Sequence, residues 1–191
     1  MSVARNIDIE ELIKAETSLE LKLISEPDFR EGLIWGTPRF GHPEGTIVLH
    51  INEVLSNINR LPIDENQRAI LRLVAISHDT FKNKEDRNTP RNWNLHHSIL
   101  AKEFMTKYSS DPILLQTIEY HDEPFYCWLH VHRGEYELAE RRLNRLLKES
   151  IDFKMLYLFF ICDTLTGDKI LAPLIWLEEK LDLESYRKYF L

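Results

Sequence analysis

The sequence is poor in cysteine and glycine. Its 191 residues include two cysteines, Cys127 and Cys162, and neither belongs to a CxxC pair. A disulfide framework or a cysteine zinc knuckle therefore has no support, and we expect both thiols to be reduced and buried. Only six glycines stand among many Leu, Ile, Glu and Lys residues, a composition that favours helices.

Positive charge and long apolar runs are also scarce. The net charge of −7 argues against general binding to DNA or RNA backbones, which requires a cationic surface. The longest apolar stretch, residues 155–162, is too short to cross a bilayer. The first residues have no apolar core of the kind found in secretory signals. We therefore expect a soluble cytoplasmic protein without a membrane partner.

The spacing of apolar residues predicts one all-α domain that covers residues 1–191. Helices are expected over residues 8–23, 46–59, 64–77, 94–108, 112–120, 134–150, 152–165 and 173–181. The stretches 25–45 and 81–93 contain prolines and polar residues and are predicted as loops, and Pro124 is expected to end a helix. No alternation typical of strands is found.

Four histidines and two aspartates fall on the apolar, inward faces of these predicted helices. They are His50, His78, Asp79, His97, His121 and Asp163. Asp163 follows the apolar run MLYLFFIC, where a carboxylate must be paired, protonated or bound to a cation. A single buried histidine is usually only hydrogen-bonded, but the joint occurrence of all six indicates a metal site. Imidazole and carboxylate together suit Mn, Fe, Co, Ni or Zn, and also Mg where waters complete the shell.

The adjacent pair His78–Asp79 restricts the geometry of this site. Neighbouring residues on a helix point about 100° apart, so both can face one site only near a helix end or at its inner edge. Each can then serve one side of a dinuclear centre, with the aspartate between the two ions. Such a centre activates water at neutral pH and binds an anionic oxygen of the substrate.

These residues and their order resemble the HD-domain superfamily of metal-dependent phosphohydrolases. The matching segments are GHPEGTIVLH, AISHDTFK and FICDTL, with HHSILAKEF and IEYHDEP between them, over about residues 41–165. The resemblance implies an all-α bundle with two divalent ions and hydrolysis of a small phosphomonoester or phosphodiester, with a nucleotide as the expected substrate. It leaves open the formation of a homo-oligomer.

Several further residues are candidates for substrate binding or catalysis. Lys82, three residues after Asp79, is expected to bind a phosphate oxygen or to protonate a leaving group. Asp122 directly follows His121 and is expected to orient water or an imidazole, or to cap a helix. Arg39 in the glycine-rich loop and Arg133 in a local basic stretch are candidate substrate contacts. Each of these two also fits a surface position without a role.

Three questions stay open at the level of sequence. The third histidine ligand is His96 or His97, and we favour His97 because it places small Ala101 and its apolar neighbours inward. A mixed-valent di-iron oxygenase of the same superfamily would use the same six ligands. A ligand-sensing module without enzymatic activity is the third possibility. In the doublet segment HDTFK, Phe81 occupies a position that is usually small, and we expect it to narrow the site.

Overall fold

The computed structural model describes residues 7–190, and it confirms the all-α class because no β-strand occurs in this range. The α-helices are α1 (Ile9–Ile13), α2 (Ser18–Ser25), α3 (Pro27–Leu33), α4 (Ile47–Ile58), α5 (Glu65–Ser77), α6 (His97–Met105), α7 (Pro112–Tyr120), α8 (Glu123–His132), α9 (Tyr136–Glu149), α10 (Phe153–Thr164) and α11 (Ala172–Leu181). Short 3₁₀ helices cover Trp93–Leu95 and Tyr186–Tyr189. Within the described residues, no helix has the length and apolar character needed to cross a membrane.

Polar side chains fix the starts of the helices that lead into the core. Asp64 accepts a hydrogen bond from the backbone N–H of Gln67, and the Gln67 side chain accepts one from the Asp64 N–H, which completes a capping box. Asp111 accepts from the N–H groups of Ile113 and Leu114. The predicted cap at the start of α7, with proline in its first turn, is thereby confirmed.

The single helix predicted over residues 8–23 is wrong, because the chain forms two short helices there. Lys14 takes a left-handed conformation with φ 48° and ends α1. Thr17 then caps a new helix by accepting a hydrogen bond from the N–H of Glu20. A break of this kind needs partners for the freed carbonyl groups, which the apolar pattern alone does not reveal.

Two prolines begin helices where the sequence predicts none. Pro27 opens α3 inside the predicted loop 25–45, and Pro124 lies in the first turn of α8. The prediction that Pro124 ends a helix is therefore wrong. Proline is tolerated in the first helical turn because its missing N–H has no acceptor there.

Helix α10 is buried around most of its circumference and packs against α4, α5, α7 and α11. This position explains its nearly continuous apolar sequence. The C-terminal end of α10 carries Asp163 toward the ends of its neighbours, where His78 and His121 follow α5 and α7. The turn after His78 packs directly against α3. A Cβ atom on Gly32 of α3 would lie 1.8 Å from the carbonyl oxygen of Thr80, so this close contact requires glycine.

Candidate metal centre

All six residues predicted as metal ligands converge at the ends of these helices. The five from His50 to His121 are at most 3% exposed, and the Asp163 side chain is 18% exposed. Ligand atoms among them and Asp122 form three overlapping sets that could each hold a metal ion: two outer groups, and one set of His78, Asp79 and His121 that joins them. The doublet lies where its geometry requires, because α5 ends at Ser77 and both His78 and Asp79 follow it.

The first group consists of His50, His78 and Asp163. The Nε2 atoms of His50 and His78 lie 2.8 Å and 3.6 Å from Oδ1 of Asp163. Ligands about 2.1 Å from a metal ion stand roughly 3 Å from one another, so these separations suit a shared ion.

The second group consists of His97, His121 and Asp122. The two Nε2 atoms lie 3.3 Å apart, and Oδ2 of Asp122 lies 3.3 Å from that of His97 and 3.6 Å from that of His121. Asp122, which the sequence suggested for orienting a water or an imidazole, thus stands among the candidate ligands themselves. Its 28% exposed side chain also faces the adjoining cavity.

Asp79 lies between the two groups and presents one oxygen to each. Its Oδ2 is 3.5 Å from Nε2 of His78 and 3.9 Å from that of His50. Its Oδ1 is 3.3 Å from Nε2 of His97 and 3.5 Å from that of His121. A carboxylate in this position can bridge two ions, as the adjacent doublet predicts.

The outer nitrogen of each imidazole contacts an acceptor that orients the ring. Nδ1 of His78 lies 2.9 Å from the Ala75 carbonyl, and Nδ1 of His121 lies 2.8 Å from that of Ile118. Nδ1 of His97 lies 3.1 Å from a carboxylate oxygen of Glu85. A proton on Nδ1 leaves Nε2 as a lone pair that points into the cluster, the arrangement typical of metal-binding histidines.

Several of these inward atoms are buried without any hydrogen bond. They are Nε2 of His50, Nε2 of His78 and Oδ1 of Asp79. The short distance from His50 to Asp163 does not change this, because the two atoms lack hydrogen-bond geometry. Buried polar atoms without partners are costly in a folded protein, and cations held by the two groups would satisfy all three. The residues present therefore fit a metal ion.

The histidines of the cluster differ in pKa because their surroundings differ in charge. Burial, together with the charge of Lys169, lowers the pKa of His50 to about 4, so this ring is neutral near pH 7. Burial acts in the same direction on His97, but the close carboxylates of Asp122 and Asp79, each 3.3 Å from its Nε2, outweigh it and raise its pKa to about 10. A proton at that position occupies the place that a cation would take between the same carboxylates.

Two lysines stand at the open side of the cluster. Nζ of Lys82 lies 2.5 Å from Oδ2 of Asp79, and Nζ of Lys169 lies 2.9 Å from Oδ1 of Asp163. Burial raises the pKa of Asp163, but the charge of Lys169 and the close contact with the His50 ring hold it well below its usual range. Lys82 was expected from the sequence, whereas Lys169 was missed.

A cavity of about 320 Å³ opens in front of these lysines. The polar side chains that line it are Asp79, Asp122, Asp163, His42 and Thr164, together with both lysines. Asp122 and Asp163 are partly exposed, while Asp79 and the candidate histidine ligands stay buried. A small anionic molecule that enters the cavity would meet both cations and the metal-facing oxygens.

The remaining predicted residues lie elsewhere. Arg39 is exposed in a separate depression beside Trp35, and Arg133 is exposed at the C-terminal end of α8. Neither lines the cavity at the centre. The expectation that Phe81 narrows the site is wrong, because its ring is 5% exposed and packs in the core on Phe29 and Phe104.

The geometry favours His97 over His96 as the third histidine ligand. His96 lies outside the central groups, with Nε2 3.1 Å from the Tyr126 hydroxyl and Nδ1 2.9 Å from that of Ser98. We expect His97→Gln to lower the bound metal by about one ion per chain, because it removes a ligand of the second group. The matched change His96→Gln should leave the metal content intact. Elemental analysis of both proteins after dialysis checks this, and equal losses in the two variants would contradict the assignment.

Comparison with known proteins adds no relative to this description. No family model, no curated protein and no solved structure matches the chain.

Proposed function

We propose that this chain is a metal-dependent phosphohydrolase of the HD-domain type that acts on a small organic phosphate ester. The observation that carries the proposal is the position of Asp79 between two ligand groups, with two lysines at the open side of the same cluster. The first feature suits a pair of divalent ions, and the second suits a phosphate group.

The protein's own residues would divide the work as follows. The histidine Nε2 atoms and the carboxylates of Asp79, Asp122 and Asp163 would hold the ions. Two such ions supply an activated water and neutralise the charge that develops on the phosphate oxygens. Lys82 and Lys169 would bind the phosphate oxygens that point away from the ions, and each lysine is already held in place by a carboxylate of the cluster.

Binding to such ions and to the lysines would place the phosphate in one orientation. Asp79, Asp163 and both lysines line the same cavity, so the ester's organic part would extend along the rest of its lining. Such fixed positioning supplies much of the rate enhancement in phosphoryl transfer, where the protein contributes mainly geometry and charge.

Phosphate release from a panel of nucleotides and simple phosphate esters tests the proposal. The protein is loaded separately with Mn, Mg, Co or Fe, and each reaction is repeated after chelation. We expect release that requires metal and stops with the chelator, because bound divalent ions would activate the attacking water.

Two outcomes would contradict the proposal. Oxygen uptake by iron-loaded protein without phosphate release would indicate the di-iron oxygenase. Tight metal binding with neither reaction would indicate a sensing module.

A further inference from the structure

Three large apolar side chains at the mouth of the cavity are exposed to solvent. Phe40 is 81% exposed, Ile170 is 47% exposed and Phe125 is 36% exposed. Together with the buried Phe160 and Pro173, they line the same cavity as the two lysines. We call these five residues the apolar wall. Exposed apolar side chains that gather on one concave surface usually mark a binding site.

The helices fix the distance between the apolar wall and the candidate metal ligands. Phe125 lies one helical turn after Asp122, and Phe160 lies one turn before Asp163 on α10. Residues three apart on a helix share a face, so each aromatic ring stands beside a carboxylate of the centre. The apolar wall therefore begins directly next to the position proposed for the phosphate.

The loops that carry Phe40 and Lys169 are fastened to each other. The backbone N–H of Gly41 donates to Oδ1 of Asp168 at 2.6 Å. Gly167 has φ +54°, and a Cβ atom there would lie 2.9 Å from Cδ of Pro43. Glycine fits this backbone conformation and contact without strain, so the two loops form one rim that carries both Phe40 and Lys169.

We infer that the ligand of this cavity is a phosphate ester whose organic part presents an aromatic or apolar face next to the phosphate group. This inference rests on the proposed function, since it assigns the substrate class of the same site. The lysines and the centre would bind the phosphate, and Phe40, Phe125 and Ile170 would cover the organic part. Polyols, free sugar phosphates and inorganic phosphate would leave the apolar wall in contact with water.

Two non-hydrolysable probes separate these contributions. Phenylphosphonate and methylphosphonate carry the same anionic group, and they differ in an aromatic ring. Isothermal titration of the Mn-loaded protein should show about tenfold tighter binding of phenylphosphonate, the size expected when one ring stacks on aromatic side chains.

Variants show which residues cause the difference. In Phe40→Ala/Phe125→Ala the two probes should bind within about twofold of each other. Trp93→Ala is the control, because Trp93 is exposed and lines a different cavity. This variant should keep the tenfold ratio. Lys169→Gln should weaken both probes by about tenfold and keep their ratio, since it removes a charge-assisted hydrogen bond to the shared anionic group.

The results distinguish this inference from the proposed function. Equal affinity of wild-type protein for the two probes, or an unchanged ratio in Phe40→Ala/Phe125→Ala, would overturn the inference even if phosphate esters are hydrolysed. The expected ratios without turnover of any phosphate ester would support the ligand class and contradict the hydrolase. If the protein does hydrolyse phosphate esters, kcat/KM should be highest for phenyl phosphate, lower for a nucleoside monophosphate and lowest for glycerol phosphate.

Discussion

Replacing Asp79 with asparagine is expected to abolish metal binding. Phosphohydrolase activity should fall by on the order of 10³-fold, the upper range for removing one electrostatic group from an active site. Both oxygens of Asp79 face imidazole nitrogens, one in each ligand group. An amide of the same size cannot offer two anionic oxygens, so both groups lose a ligand at once. A change at Asp163 or Asp122 removes a carboxylate from only one group.

The melting temperature gives a readout of this variant that does not depend on activity. A ligand present at about 100 times its Kd stabilises a protein by about 2.7 kcal/mol, which in a chain of this size raises Tm by roughly 5–10 °C. Wild-type protein should show such a rise when metal is added after chelation, and Asp79→Asn should show almost none.

Asp28→Asn is the matched control for this variant. The Asp28 side chain is 71% exposed and pairs with Lys84 at the surface. It should keep both the activity and the metal-dependent rise in Tm. An Asp79→Asn protein that still gains several degrees on metal addition would disprove the bridging position.

Periodicity indicated the candidate metal ligands because most of them lie on or beside regular helices. His50, His97 and Asp163 occupy inward helical positions whose neighbours are apolar, and a buried carboxylate or imidazole there stands out. The fold class follows from the same pattern. Helix packing then brings them together, since α10 contacts α4, α5 and α7, and α6, which carries His97, contacts α7.

The remaining parts of the cavity could not be predicted because loops position them. Lys169 lies in the turn after α10, where no helical period assigns a face, and its position depends on hydrogen bonds made by its neighbours Gly167 and Asp168. Phe40 lies at the tip of a loop and contributes nothing to a core pattern. In both cases the signal lies in contacts between segments far apart in sequence, which a single sequence does not show.

The second large effect expected is on stability, because a buried ion pair stabilises the break between α1 and α2. Arg72 of α5 is 3% exposed and donates from Nε and Nη2 to both carboxylate oxygens of Glu20, each at 2.9 Å. Nη2 also donates to the carbonyl of Lys14 at 3.2 Å, where α1 ends. Arg72 thus satisfies backbone groups that a continuous helix would have paired internally.

Arg72→Met should lower the free energy of unfolding by about 3–5 kcal/mol, because it leaves the Glu20 carboxylate buried without a cation. The double variant Glu20→Leu/Arg72→Met should recover most of this loss, since it removes both charges. Arg68→Met is the surface control, because Arg68 pairs with Glu16 at a site where both side chains are about one-third exposed or more, and it should cost less than about 1 kcal/mol. Urea unfolding of the three variants and of the wild-type protein measures these differences in the free energy of unfolding.

This variant also separates stability from the chemistry of the site. Arg72 lies on α5, the helix that leads to His78 and Asp79, but it makes its contacts on the side of α1 and α2. Metal added in excess should therefore restore the folded fraction of Arg72→Met by mass action, and with it the activity. Asp79→Asn should gain nothing from the same addition. If Arg72→Met costs no more than Arg68→Met, or if metal cannot restore its activity, the buried pair does not have the structural role assigned to it.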